Sequence, residues 1–382
     1  MPNNDSVIKK IAEAYAAECN VEQLDLLRTL GKIPAPSHQE DKRVAFLVDW
    51  WKSVGAEDIT VDDMKNVIVK YGPQDGELVV FAAHTDIVFP DTEELPMFEE
   101  NGILHAPGIG DDTSNLVCML MAAKYVIQNK LTPEVGLLFV ANSCEEGLGN
   151  LDGTKQLFKD YGGRIREFIS FDGYTPQCTY SAVGSYRYEI SCKTVGGHSY
   201  VNFGNPNAIE ILAKLIEKLY EIKAPTEEFT TYNVGVISGG STVNSIAQQA
   251  SMMYEFRSSS QKCLDQMEKM FTEAVDSCRD CGGELEVKVL GIRPGNGDID
   301  KDALAAFTAR NSEVISAFYE GELDYAAYST DSNIPLSMGI PANTIGAMVG
   351  AKAHTREEWV DLKSLTPGLK IALSLMLGYC GK

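Results

Sequence analysis

The sequence predicts an α/β fold in two domains, with the smaller domain inserted into the larger. Three observations carry this. At 382 residues the chain exceeds what one hydrophobic core ordinarily fills. Helical patterns alternate with short, near-continuous apolar strands in the first third, and the same texture returns after Pro294. That is the signature of a sheet covered on both faces. Between these parts, from about Gly184, the strands alternate apolar and polar positions in the order βαββαβ. This is the split-βαβ, or ferredoxin-like, layout of a small independent domain. The expected boundaries are 1–182 and 293–382 for the larger domain and 183–292 for the insertion.

The elements follow in order. Ser37-x-x-Glu40 reads as a capping box that opens a helix through VAFLVDWWKSVG, ending at Gly55. Strands are expected at NVIVKYG and ELVVFAAHTD. After a loop, GIGDD starts the helix TSNLVCMLMAAKYVIQ, and strands VGLLFVAN and FISFDG come next. In the inserted domain, SYRYEISCKTV is a strand with one wet face and NPNAIEILAKLIEKLYEI an amphipathic helix. Strands TTYNVGVISGG and QQASMMYEFRS, a helix through MEKMFTEAVDSC and a strand ELEVKVLG complete it.

Composition narrows the function classes. There are 54 acidic residues against 33 Lys and Arg, for a net charge of -21. A surface this negative repels nucleic acid and anionic lipid, so neither is expected as a partner. No run reaches the roughly 20 apolar residues of a membrane span, and MPNNDSVIKK lacks the apolar stretch of a secretory leader. The nine cysteines are scattered, and the one close pair, Cys278 and Cys281, lacks the second pair of a zinc knuckle. They are read as structural thiols, and the expected compartment is the reducing cytoplasm.

Polar residues recur where strands leave the sheet. His84 and Asp86 end an apolar strand and share a face by its period of two. The carboxylate there could share a metal with the histidine or hold its other ring nitrogen. Asp111 and Asp112 follow Gly108-Ile109-Gly110 at a helix start, where one aspartate is ordinary capping and two exceed it. A phosphate loop is excluded there, because neither glycine-rich signature is complete. Glu145 and Glu146 follow VGLLFVAN, Asp172 ends FISFDG, and His354 lies in AKAHTREEW. Ligands of open α/β sheets bind beyond the carboxyl ends of the strands, so these residues are positioned to meet in one crevice. His105 is read as a surface residue, His38 as local structure, and Asp298-x-Asp300-x-Asp302 as a solvated helix start.

Taken in order, AAHTD, GIGDDTSN, SCEEG, FDG, GGHS and AHT resemble the two-zinc family of peptidase T. Aminoacylase, acetylornithine deacetylase, succinyl-diaminopimelate desuccinylase and glutamate carboxypeptidase belong to the same family. The resemblance covers nearly the whole chain. It implies a mixed-sheet zinc-exopeptidase domain with an inserted lid and dimerisation domain. It also implies that Asp111 bridges two zinc ions, with cobalt or manganese as possible substitutes. His84 and Asp172 would complete one site, and Glu146 and His354 the other. Asp86 would orient His84, Glu145 would be the general base, and the Asp111–Asp112 peptide bond would be cis. His198 would reach the partner subunit's active site to stabilise the oxyanion, which implies a homodimer through the inserted domain. Asn244 and Arg257 match positions that hold the substrate, although an exposed strand residue is an equal reading of Arg257. Thr330 and Asp331 resemble a late segment near the site.

The physics of the donor set agrees. Imidazole and carboxylate suit zinc, and two such ions can share a carboxylate and activate a water near neutral pH. Within the family, aspartate at the Asp172 position accompanies aminopeptidases and dipeptidases, whereas acylases and carboxypeptidases usually carry glutamate. Thr113-Ser114-Asn115 departs from the Lys-x-Gly of many members. The expected activity is therefore removal of residues at the end of short peptides. The alternatives are an N-acyl-amino-acid deacylase or carboxypeptidase, or a catalytically inactive binding protein on the same fold.

Overall fold

A computed structural model describes residues 4–381. The chain divides into two compact units, one running to Ser181 and resuming at Asp298, the other Ala182–Gly297. In the larger unit a seven-stranded sheet has the order Asp58–Val61, Val67–Tyr71, Gly136–Asn142, Leu78–His84, Ile165–Phe171, Ala342–Ile345, Cys178–Thr179. Its four inner strands run parallel, and the outer pairings are antiparallel. Leu78–His84 and Gly136–Asn142 are buried at every position. Their unbroken apolar sequence reflects this, because both faces are covered by helices.

The helix Asn115–Gln128 is apolar almost all round, with Leu116 to Ala123 buried without a break, and the helix Leu365–Leu377 packs beside it. On the sheet, Phe139 stacks on Trp51, and Phe81 on Phe171. Truncating Trp51 in such a close-packed core would cost about 3–5 kcal/mol. The helix Asp41–Ser53 ends at Gly55, whose φ of 94° suits a residue without Cβ. Its start departs from the expected capping box. Glu40 occupies the cap without a side-chain bond to the helix, and the Ser37 hydroxyl donates instead to Asp86 at 2.6 Å. The helix starts at Asp41, so Ser37 lies outside it and is tied to Asp86.

A second, four-stranded sheet joins Gly350–Ala351, Trp359–Asp361, Ile103–His105 and Phe98–Glu100. It ties the chain leading into Gly108 to the chain on either side of His354. His105 stacks on Phe98 at 4.4 Å, and Asp300 caps the helix Lys301–Ser316.

The smaller unit has its own core. Its antiparallel sheet has the order Thr230–Gly239, Gln249–Ser258, Gly184–Lys193, Glu284–Arg293, which is the ferredoxin-like arrangement. Helix Ala208–Glu221 buries Ile211, Leu212, Leu215 and Leu219 at the spacing of one face. Asn207 caps it, accepting from the amides of Ile209 and Glu210. The helix Gln261–Asp276 precedes Cys278, which is buried, and Cys281, which is exposed; all nine cysteines are free. No helix of the described residues is long and apolar enough to cross a membrane.

Candidate metal centre

The parallel strands deliver their carboxyl ends to one place. His84 closes one strand, Asp172 follows the next, and Ser143 to Glu146 follow a third. The turn Ile109–Ser114 presents Asp111 just before its helix, with the Asp111–Asp112 peptide bond cis. His354, in an irregular segment with φ of 64°, comes from the far end of the chain.

Asp111 sits at the centre. Its Oδ1 lies 3.0 Å from His84 Nε2 and its Oδ2 lies 3.1 Å from His354 Nε2. His354 Nε2 is also 3.3 Å from Glu146 Oε2. Among the described residues, two groups have ligand atoms within 4.8 Å of one another: His84, Asp111 and Asp172, and Asp111, Glu146 and His354. Asp111 belongs to both.

The donor chemistry fits a pair of cations. His84 Nδ1 faces the main-chain oxygen of Asp86 at 3.0 Å while Nε2 faces Asp111, so both ring nitrogens meet acceptors. Such a ring must be doubly protonated or have a cation between Nε2 and the carboxylate. Glu146 Oε1 is buried with no hydrogen-bond partner, an expensive state that a bound cation would relieve. The titrations agree. Hydrogen bonds with Asp111 and Glu146 push the His354 imidazole up to about 11. Burial, then the charge of Asp111, lifts the Asp172 carboxyl to about 7. Burial raises Asp111 too, but hydrogen bonds from the two histidines hold it below the usual carboxylate range. Divalent ions would supply the positive charge that these carboxylates draw from the histidines and from protons.

The supporting residues are as specific. Asp86 is wholly buried. Its Oδ1 accepts the amide of Glu145 at 3.0 Å, and its Oδ2 the amide of Glu146 at 3.0 Å beside the Ser37 hydroxyl. It therefore holds the loop of both glutamates as well as facing His84. Asp112 accepts the His84 amide at 3.0 Å and the Asn115 side chain at 2.7 Å. Asn115 also donates to the carbonyl of Gly173 at 2.9 Å and accepts the amide of Ala347 at 2.9 Å. Arg43, fully buried, donates to the carbonyls of Ile33 and Thr85, each at 2.8 Å. Burial lowers its guanidinium to about 10, against the attraction of Asp86 and Asp112. Sequence reading passed over Arg43 and Glu358, and took Asn115 only as a departure from the family, because each acts through contacts distant in the chain.

The remaining predicted residues are placed as follows. Thr330 and Asp331 belong to the larger unit and are buried. The Thr330 hydroxyl meets that of Thr344 at 2.7 Å, and Asp331 accepts from Asn142 and Thr154, each at 2.5 Å. Asp331 thereby holds the strand end before Ser143, and Thr330 is tied to the strand Ala342–Ile345. His198, Asn244 and Arg257 lie in the smaller unit. His198 pairs with Ser245 across a short two-stranded sheet, and Ser199 donates to the carbonyl of Asn244, so these two lie together. His198 is exposed, and its Nδ1 accepts the amides of Tyr200 and Val201 at 3.2 and 3.4 Å. The ring hydrogen then belongs on Nε2. The Arg257 fork rests on Glu255, at 3.1 and 3.0 Å.

Comparison with known proteins follows the same lines. The family model described as Peptidase family M20/M25/M40 matches residues 80–378. A succinyl-diaminopimelate desuccinylase of Corynebacterium glutamicum is 26% identical over 353 residues, covering 89% of this chain and 92% of that one. Among solved structures, a tripeptidase from Staphylococcus aureus superposes with a TM-score of 0.76 at 20% identity, covering 93% of this chain and 97% of that one. The aminopeptidase PepT of Bacillus cereus has a TM-score of 0.74 at 20% identity and the same coverage.

Proposed function

The chain belongs to peptidase family M20/M25/M40, and from that premise we propose that it is a two-zinc exopeptidase acting on short peptides. One observation carries the proposal most directly. The two carboxylate oxygens of Asp111 each face a different histidine, with Asp172 and Glu146 closing the two groups. His84, Asp111 and Asp172 would hold one ion, and Asp111, Glu146 and His354 the other. Imidazole and carboxylate donors suit zinc, with cobalt or manganese as substitutes. Bound ions supply Lewis acidity and bring the pKa of water towards about 7.

The protein's own groups do the rest. Glu145 takes the proton of the attacking water and delivers it to the leaving amine. Asp86 fixes the amides of Glu145 and Glu146, and so sets where base and ligand stand. His198 of the partner subunit donates from Nε2 to the developing oxyanion. Removing one such donor typically costs about 3 kcal/mol of barrier. Two features support a dimer through the smaller unit. Tyr200, Val201 and Phe203, beside His198, are exposed, and so are Val236 and Ile237 on the edge strand Thr230–Gly239. Mixing His198→Ala and Glu145→Ala subunits, each inactive alone, should restore part of the activity. No recovery in confirmed mixed dimers overturns donation between subunits. Free thiols throughout support a cytoplasmic setting.

Aspartate at position 172, with the resemblance to peptidase T, supports a peptide substrate. A second reading, N-acyl-amino-acid deacylase, is favoured by the desuccinylase relative spanning 89% of the chain. A panel of di- and tripeptides beside N-acetyl and N-succinyl amino acids separates them. Turnover of acylated amino acids alone overturns the peptidase proposal.

A further inference from the structure

We propose that Glu358 is a positioning residue for the metal centre, its buried carboxylate fixing the loop that presents Asp111. The inference rests on the two-metal reading above. Glu358 is wholly buried and belongs to neither ligand group. Its Oε2 accepts the amide of Gly108 at 2.6 Å. Its Oε1 accepts the amides of Gly110 and Asp111 at 2.9 and 2.7 Å, with the Tyr174 hydroxyl at 3.2 Å. Four donors converge on one carboxylate, and three of them are main-chain amides of a single turn.

A buried carboxylate is costly unless donors compensate it, and charge-assisted bonds to amides are among the stronger ones. The sequence leaves room for this one. A Cβ on Gly110 would lie 3.0 Å from Glu358 Oε1 and 2.6 Å from the Tyr174 ring, so a side chain there would push the carboxylate off the turn. The grip ends on the amide of Asp111, the residue whose side chain serves both ligand groups.

The other end of the grip is equally tied. Glu358 follows His354 by four residues. Between them Arg356 bonds Asp91 at 2.9 and 2.6 Å and stacks over Phe89 at 4.5 Å, while Trp359 pairs with His105. Ala351 pairs with the same Trp359, so the segment bearing His354 is anchored on both sides. Glu358 couples that segment to the Asp111 turn and sets the separation of bridging carboxylate and terminal imidazole.

The test measures metal binding on the full chain, independent of catalysis. Zinc affinity by chelator competition and the absorption spectrum of bound cobalt are compared for wild type, Glu358→Gln and Glu358→Asp. Each variant is first checked for wild-type far-UV circular dichroism and cooperative melting. Both should bind at least one ion about 10- to 100-fold more weakly, with an altered cobalt spectrum. The aspartate variant is decisive, because it keeps the charge and shortens the reach. Wild-type binding by Glu358→Asp assigns the residue to charge alone and overturns the inference, as does wild-type binding by both variants. If the glutamine variant does not fold, the aspartate variant decides by itself. A wild-type chain that takes up no ion, or whose uptake survives Asp111→Ala, overturns the two-metal reading and this inference with it. Wild-type binding by Glu358→Asp, or by both variants, overturns the inference alone.

Discussion

Replacing Asp86 by asparagine tests how the site is held together, since the change alters one atom and removes one charge. Asp86 is fully buried. Its Oδ1 accepts the Glu145 amide, and its Oδ2 accepts the Glu146 amide and the Ser37 hydroxyl. An asparagine has one acceptor oxygen and one donating amide. Its better orientation keeps the oxygen on the side with two donors. The NH2 group then opposes the amide of Glu145, donor against donor. One charge-assisted bond is lost and two buried N–H groups, of Glu145 and of the new NH2, are set against each other, which together cost about 2–4 kcal/mol. For a unit of this size each kcal/mol corresponds to about 2–4 °C in melting temperature, so a fall of roughly 5–15 °C is expected. The carbon path of the loop moves with that amide, carrying the base and a ligand with it. Misplacement by about 1 Å commonly costs about 100-fold in rate.

The assay is a melt of the metal-loaded variant alongside kcat/KM on the best peptide of the panel. The exposed Asp63→Asn change serves as a control for charge. Asp86→Asn with wild-type melting refutes the hydrogen-bond accounting. Reduced melting with unchanged kcat/KM refutes the claim that Asp86 positions the two glutamates, and leaves it a stabilising residue only.

Three further outcomes are expected. Chelation should abolish hydrolysis, and added zinc, cobalt or manganese should restore it; activity surviving verified metal removal would contradict the mechanism. Glu255→Gln loosens the partner of Arg257, so KM for substrates with a free terminal carboxylate should fall several-fold. An unchanged KM in steady-state kinetics would make Arg257 an ordinary strand residue. Asn115→Ala removes the tie between Asp112, Gly173 and Ala347. It should cost about 2–3 kcal/mol in denaturant unfolding, and a loss below 0.5 kcal/mol would refute that role.

Much of this molecule was legible because parallel strands write themselves plainly. LVVFAAH and GLLFVAN are unbroken apolar runs, and the polar residues that end them had to emerge at one sheet edge. The ferredoxin-like unit was legible from its alternating strands and its amphipathic helices. What escaped is held by contacts between distant segments. Ser37 has the spacing of a capping box, but the helix starts only at Asp41 and the Ser37 hydroxyl donates to the buried Asp86. Arg43 reads as the polar face of a helix, yet that face points inward to Ile33 and Thr85. Glu358 sits in a segment with no period, among the charged neighbours Arg356 and Glu357, so no pattern marks it. Thr330 and Asp331 were marked by resemblance alone, and their side chains are engaged inside the protein.

The distribution of charge around the centre has a consequence for assembly. Asp111, Asp172 and Glu146 converge where only two imidazoles oppose them. Asp86 and Asp112 stand close behind, with the buried guanidinium of Arg43 as their nearby cation. A fold that gathers so many acids must neutralise some of them, which is why burial and mutual repulsion raise Asp172 and Glu146. Two divalent ions against the three carboxylates of Asp111, Asp172 and Glu146 would reverse this, leaving a net positive charge of one. The acids behind them then become favourable rather than costly. The same carboxylates that strain the bare site therefore favour the loaded one. Metal binding should raise the melting temperature through that relief, by an amount that grows with the logarithm of free metal above its dissociation constant.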